Sequence, residues 1–178
     1  FVNLSLERPS AILAGDRVVL IDDHQMVIEG LKAMLAPFSG RVEVVGEAAG
    51  ADRAMSVISE LDPDIVLCDV RMQGVSGLDL CRDIRERDPG RKVILLSVYD
   101  DEQYLFQAMR VGASGYLLKG ISSDELVRQL EGVHAGGTAI DAGLAARAAE
   151  TAARLSRATI ASMPVPTSGA SVWISGTA

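Results

Sequence analysis

The sequence predicts an α/β protein: a doubly wound, five-stranded parallel sheet in the order 2-1-3-4-5, followed by a C-terminal connector helix. Three observations predict it. From Arg17 onward, short apolar runs bounded by turn residues recur about every 25 residues, as buried parallel strands do. Between them lie segments whose apolar residues repeat at helical spacing, the alternation that βαβ units require. The runs also end on polar side chains, on the edge where open α/β sheets place their ligands.

In chain order, strand 1 is Val18–Ile21 and ends on Asp22-Asp23. Helix 1 carries Val27, Leu31, Met34 and Leu35 on one face, and Pro37 stops it. Strand 2 is Val42–Val45, ending near Gly46, and helix 2 spans Ala51–Leu61. Strand 3, Ile65 to Asp69, follows Pro63 and closes on a carboxylate. Helix 3 shows the stripe Leu80, Cys81, Ile84 and breaks at Asp88-Pro89-Gly90. Strand 4 is Val93–Leu96, ending on Ser97, and helix 4 runs from about Glu102 to Val111. Strand 5 is Tyr116–Leu118, followed by Lys119. Helix 5 opens on the capping pattern Ser122-Ser123-Asp124-Glu125 and ends at Gly136-Gly137. Asp141 is placed to cap an Ala-rich helix reaching about Ile160. The expected organisation is an N-terminal extension (1–15), the α/β domain (16–137), the connector helix (138–160) and an irregular tail (161–178) without a charged residue.

Charge and composition narrow the function. The net charge is −7, with 22 acidic and 14 basic residues up to Gly137, which excludes the basic stripe of a nucleic-acid binder. DNA binding is therefore not supported by this chain. No apolar stretch approaches the roughly 20 residues of a membrane span, so no membrane role is expected. Cys68 and Cys81 read as reduced packing residues, which points to the cytoplasm.

Three carboxylates, a hydroxyl and an ammonium meet at the strand ends: Asp22, Asp23, Asp69, Ser97 and Lys119. Two carboxylates about 4 Å apart repel by roughly 4 kcal/mol at an effective dielectric of about 20. A hard divalent cation relieves that repulsion, and Mg²⁺ suits carboxylates combined with phosphate oxygens. A carboxylate also serves as a nucleophile toward phosphorus, with positive charge and donors on the equatorial oxygens. Asp69, on the central strand, is the best placed nucleophile.

Four segments then become recognisable: Val19-Leu20-Ile21-Asp22-Asp23-His24, Leu67-Cys68-Asp69-Val70-Arg71-Met72, Leu95-Leu96-Ser97, and Gly112-Ala113-Ser114-Gly115-Tyr116-Leu117-Leu118-Lys119. Together they resemble the receiver domain of two-component response regulators, in its NarL/FixJ (LuxR-type) branch, over about Arg17 to Gly137. The resemblance implies a flavodoxin-like fold with Asp69 as phosphoacceptor and Asp22 and Asp23 as the acidic pocket. It implies Mg²⁺ held by Asp23, Asp69 and the Arg71 backbone carbonyl. Ser97 and Tyr116 would form the hydroxyl–aromatic switch pair, and Lys119 would contact the phosphate.

The implied function is acceptance of a phosphoryl group from a sensor histidine kinase, with slow self-dephosphorylation at most rather than enzymatic turnover. The helix 4/strand 5/helix 5 face would then change shape and regulate transcription through an output domain absent from this chain. Since helix 4 carries Tyr104, Leu105 and Met109 close to that face, self-association there, as a homodimer, is expected to change on phosphorylation. Two positions depart from the family pattern: Gln73 and Gly120 stand where many receivers have proline. The helix-turn-helix opening usual in this branch does not follow the connector.

Other readings are weaker. A haloacid-dehalogenase-type phosphohydrolase needs a second Asp where Arg71 stands, and a nucleotide- or flavin-binding module needs a glycine-rich cradle after strand 1. A phosphorylation-independent interaction domain is the alternative. His24 and His134 read as isolated, and Met26, Met34, Met72 and Met109 as packing residues.

Overall fold

The computed structural model describes residues 15–162, with side chains as far as 155. The segment before Gly15 and the irregular tail expected after the last helix lie outside the described residues. The elements follow in the order β1 (Asp16–Ile21), α1 (Gln25–Leu35), β2 (Val42–Ala48), α2 (Ala51–Leu61), β3 (Ile65–Asp69), α3 (Gly77–Arg87), β4 (Lys92–Ser97), α4 (Glu102–Arg110), β5 (Gly115–Leu118), α5 (Ser123–His134), β6 (Ala139–Ile140) and α6 (Ala142–Ser162).

The strands pair in parallel in the order β2-β1-β3-β4-β5-β6. The expected order 2-1-3-4-5 stands, and a sixth strand of two residues extends the sheet beyond the five the sequence predicts. Gly115 is what admits it. A Cβ there would lie 2.6 Å from the Ala139 carbonyl oxygen, so only a glycine lets the β6 backbone come alongside. The sheet thus runs past Gly137, where the α/β domain was expected to end. β2 is also longer than expected, because its pairing with β1 shifts register between Val18 and Val19 and continues to Ala48.

Strand residues alternate between two cores. Val18 and Leu20, Ile65 and Leu67, and Ile94 and Leu96 face α1 and α5, against Ile28, Leu35, Leu126, Leu130 and Val133. Val19 and Ile21, Val66 and Cys68, Val93 and Leu95, and Tyr116 face α2, α3 and α4, against Ala54, Ile58, Leu80, Ile84 and Leu105. Burying both faces is why the strands read as continuous apolar runs.

The helix starts are built as their sequences require. Ser76, Asp101 and Ser122 accept hydrogen bonds from the amides of Asp79, Gln103 and Glu125, and Asp141 Oδ1 accepts from the Leu144 amide at 3.0 Å. Helix α6 packs back on the domain, with Leu144 and Ala148 buried in the α4-side core. Both cysteines are free and buried.

Candidate functional site

Strand register brings the polar residues together. Ile21 pairs with Cys68, Asp69 with Leu96, and Ser97 with Leu118, so Asp22, Asp69, Ser97 and Lys119 emerge at one level of the sheet. The chain beyond each strand is tied down as well. The Asp22 amide donates to the Ala48 carbonyl (3.2 Å), that of Val70 to Leu96 (2.9 Å) and that of Lys119 to Ser97 (2.8 Å). No peptide bond among the described residues is cis, so Lys119–Gly120 is trans.

Lys119 Nζ lies 2.7 Å from Asp22 Oδ2 and 2.9 Å from Asp69 Oδ1, one cation shared by two buried carboxylates. Asp22 Oδ1 accepts the His24 amide at 2.8 Å, and Asp69 Oδ2 accepts the Arg71 amide at 3.2 Å. Burial lifts the Asp69 carboxyl above its ordinary value; Lys119 opposes the rise and Asp22 adds to it. Burial works against the charge on Lys119, but hydrogen bonds to Asp22 and Asp69 outweigh it and raise the ammonium. Burial therefore outweighs the ion pair at Asp69, while the two carboxylates hold the lysine charged.

Asp23 completes the pocket. Its Oδ2 accepts the Gln73 amide at 2.8 Å, whereas Oδ1 is buried and accepts no hydrogen bond. His24 Nδ1 stands 2.7 Å from that oxygen, at ion-pair distance rather than in hydrogen-bond alignment. A buried, unsatisfied carboxylate oxygen beside two further carboxylates is a donor set that fits a hard divalent cation. Asp22, Asp23 and His24 also offer ligand atoms within 4.8 Å of one another. His24 is therefore not isolated, contrary to what the sequence implied; its exposed side chain lines the cavity beside the acidic pair.

These residues line an open cavity of about 640 Å³ bounded by Asp23, His24, Asp69, Arg71, Ser97, Tyr99 and Lys119. Tyr99 is a residue that sequence reasoning missed. Its amide donates to Ser97 Oγ (2.9 Å), its hydroxyl accepts from Arg71 Nη1 (2.8 Å), and its carbonyl accepts the Tyr116 hydroxyl (2.8 Å). Its ring stacks on Tyr104 at 5.4 Å. Tyr116 is fully buried, already turned inward. Of the helix 4 residues singled out in the sequence, Leu105 is core, while Tyr104 and Met109 are half-buried.

Gly77 is the second residue without a sequence signal. A Cβ on it would lie 1.9 Å from the Asp69 carbonyl oxygen, so the start of α3 sits directly against the backbone of the central carboxylate. Only the fold shows this approach, because the two residues belong to different elements.

Known proteins share this fold and much of this sequence pattern. The family model "Response regulator receiver domain" matches residues 18–131. The chain is 39% identical over 124 residues to the transcriptional regulatory protein DegU of Brevibacillus brevis, covering 70% of this chain and 52% of that protein. It is 36% identical over 125 residues to the DNA-binding transcriptional activator DevR/DosR of Mycobacterium tuberculosis, covering 70% and 57%. The chain thus spans little more than half the length of these curated relatives. Among solved structures, a LuxR-family two-component response regulator from Aurantimonas sp. SI85-9A1 superposes with a TM-score of 0.74 at 32% identity, covering 79% of this chain and 99% of that one. The receiver domain of the response regulator NarL from Mycobacterium tuberculosis gives 0.65 at 35% identity, covering 69% and 98%. No helix among the described residues is long and apolar enough to cross a membrane.

Proposed function

The chain belongs to the response regulator receiver family, and on that premise we propose that it accepts a phosphoryl group on Asp69 from a sensor histidine kinase. The observation that supports this most directly is the Asp22–Lys119–Asp69 arrangement at the end of the central strand. In the transfer, an Asp69 carboxylate oxygen attacks phosphorus, a P–O bond forms, and the P–N bond to the kinase imidazole breaks with its electron pair leaving on nitrogen. Burial leaves the Asp69 carboxylate less solvated and more basic than an exposed one, which favours attack. Lys119, freed from Asp69 as that charge is consumed, stays held by Asp22 and faces the incoming equatorial oxygens. The Ser97 hydroxyl supplies a second donor on the same side.

Asp23, Asp69 and the Arg71 backbone carbonyl would hold Mg²⁺, with Asp22 beside them in the acidic pocket. When bound, the ion supplies positive charge that offsets both the crowded carboxylates and the phosphoryl oxygens. Receiver domains signal rather than turn over substrate, so hydrolysis of the acyl phosphate is the slow resetting step. The relatives named as transcriptional regulators support a role in transcription control through an output module, and helices α4 and α5 with β5 form the face expected to respond.

Incubating the protein with acetyl phosphate and Mg²⁺ tests the assignment. One phosphoryl group should be added, stable in acid and lost in base or hydroxylamine, and it should be absent from Asp69→Ala. An adduct that persists in that variant overturns the choice of Asp69.

A further inference from the structure

Resting on the phosphoacceptor reading, we propose that α6 is a latch that phosphorylation at Asp69 releases. The residues that follow Ser97 hold the switch pair and α6 at the same time. Tyr99 donates its amide to Ser97 Oγ and accepts the Tyr116 hydroxyl on its carbonyl. Asp100 pairs with Arg147 of α6. Asp101 caps α4, and Glu102 Oε2 accepts the Thr151 hydroxyl of α6 at 2.6 Å. Arg147 Nε is also 3.9 Å from Glu102 Oε1.

The other end of α6 leads back to the same pair. Tyr116 lies opposite Ile140 in the β5–β6 pairing, and its carbonyl accepts the amide of Asp141, the residue that caps α6. The helix is therefore fastened to Ser97 through the loop and to Tyr116 through the sheet.

The attachment is of a kind that a small movement undoes. Among the described residues of α6 only Leu144 and Ala148 are buried, and Asp100 and Arg147 are about half exposed, so their ion pair is weak. A phosphoryl group on Asp69 presents oxygens to which the Ser97 hydroxyl turns as donor. That turn withdraws the acceptor from the Tyr99 amide and shifts the loop carrying Asp100 and Glu102. Linkage is reciprocal: if phosphorylation loosens α6, loosening α6 favours the phosphorylated form by the same factor.

Hydrogen–deuterium exchange of the full chain tests this, with beryllofluoride and Mg²⁺ as the phosphoryl mimic and fluorine NMR to measure its binding. The mimic should speed exchange in residues 142–155 while β3 and β4 stay protected. Arg147→Ala and, separately, Glu102→Ala should speed exchange there without the mimic and tighten its binding, each by about two- to fivefold. Bound mimic with unchanged or slower α6 exchange overturns the latch alone, as do variants that loosen α6 without tightening the mimic. Failure of the mimic to bind at all overturns the phosphoacceptor reading and the latch with it.

Discussion

At the N-terminal ends of the strands, Asp16 sits beside His134 (3.2 Å), the Asp64 carboxylate takes the Arg17 amide, and Arg91 bonds Asp62 (2.8 Å) and Asp88 (3.0 Å). At the C-terminal ends, Asp22 and Asp69 share Lys119 while Asp23 keeps an unsatisfied oxygen. Burial raises the carboxyl of both Asp16 and Asp69. A carboxylate whose pKa burial raises is thus found at either end of the same sheet, half-buried at Asp16 and buried at Asp69. The difference lies in balance. At the N-terminal end the anions are spread over several loops and matched by cations, Asp16 by His134 and Asp62 and Asp88 by Arg91, although Asp16 Oδ2 also lacks a hydrogen bond. At the other, three carboxylates gather at an open cavity beside one lysine, which two of them share. An excess of one sign at a point that solvent reaches is what distinguishes a binding site from structural ion pairing.

The sharpest way to break that contrast is Lys119→Ala. It should slow acetyl phosphate labelling of Asp69 by about 10²–10³-fold, as loss of a charge-stabilising donor does. It should also cost about 2–4 kcal/mol in urea unfolding, because Asp22 and Asp69 are left facing each other. Arg91→Ala, at the opposite end, should destabilise the fold and leave the labelling rate unchanged. Equal loss of labelling in both variants removes the distinction.

A smaller effect is expected from Gly77→Ala. Its Cβ pushes on the Asp69 backbone, so unfolding should become easier by about 1–3 kcal/mol and labelling slower, whereas Gly90→Ala, in the loop before β4, should leave labelling intact.

The smallest effect is in pH dependence. A carboxyl whose folded value is raised keeps its proton longer in the folded state, so the folded state binds more protons than the unfolded chain between the ordinary and the raised value. Stability falls as pH rises through that window. Both Asp16 and Asp69 have this sign, and Asp16→Asn and Asp69→Asn should each flatten the slope of urea midpoint against pH. Asp69→Asn should also stabilise the protein at pH 7, on the order of 1 kcal/mol. Mg²⁺ should flatten the slope in the wild type and in Asp16→Asn but add nothing to Asp69→Asn. A Mg²⁺ effect that survives in Asp69→Asn places the ion elsewhere.

Much of the site is legible in the residues because it lies where strands end. Apolar runs buried on both faces announce themselves, and the polar residue closing each run is delivered to the ligand-binding edge by the fold class alone. That is how Asp22, Asp69, Ser97 and Lys119 can be named together before any contact is known. His24 and Tyr99 escape that reading, for their side chains leave loops whose direction depends on what they meet. Gly77 escapes it because its role is a close approach to a backbone in another element. The sixth strand escapes it because two residues have no period, and Gly115 reveals its purpose only beside Ala139.

The sequence by itself determined the order of the first five strands and of the helices, and the residue types at the functional edge, since periodicity and strand-end polarity are local properties that survive without neighbours. Only the tertiary structure decided the sharing of Lys119 between two carboxylates, the inward position of Tyr116, and the fastening of α6 to the β4–α4 loop. Each of these depends on distances between residues far apart in the chain, which register and packing set and which no local pattern encodes.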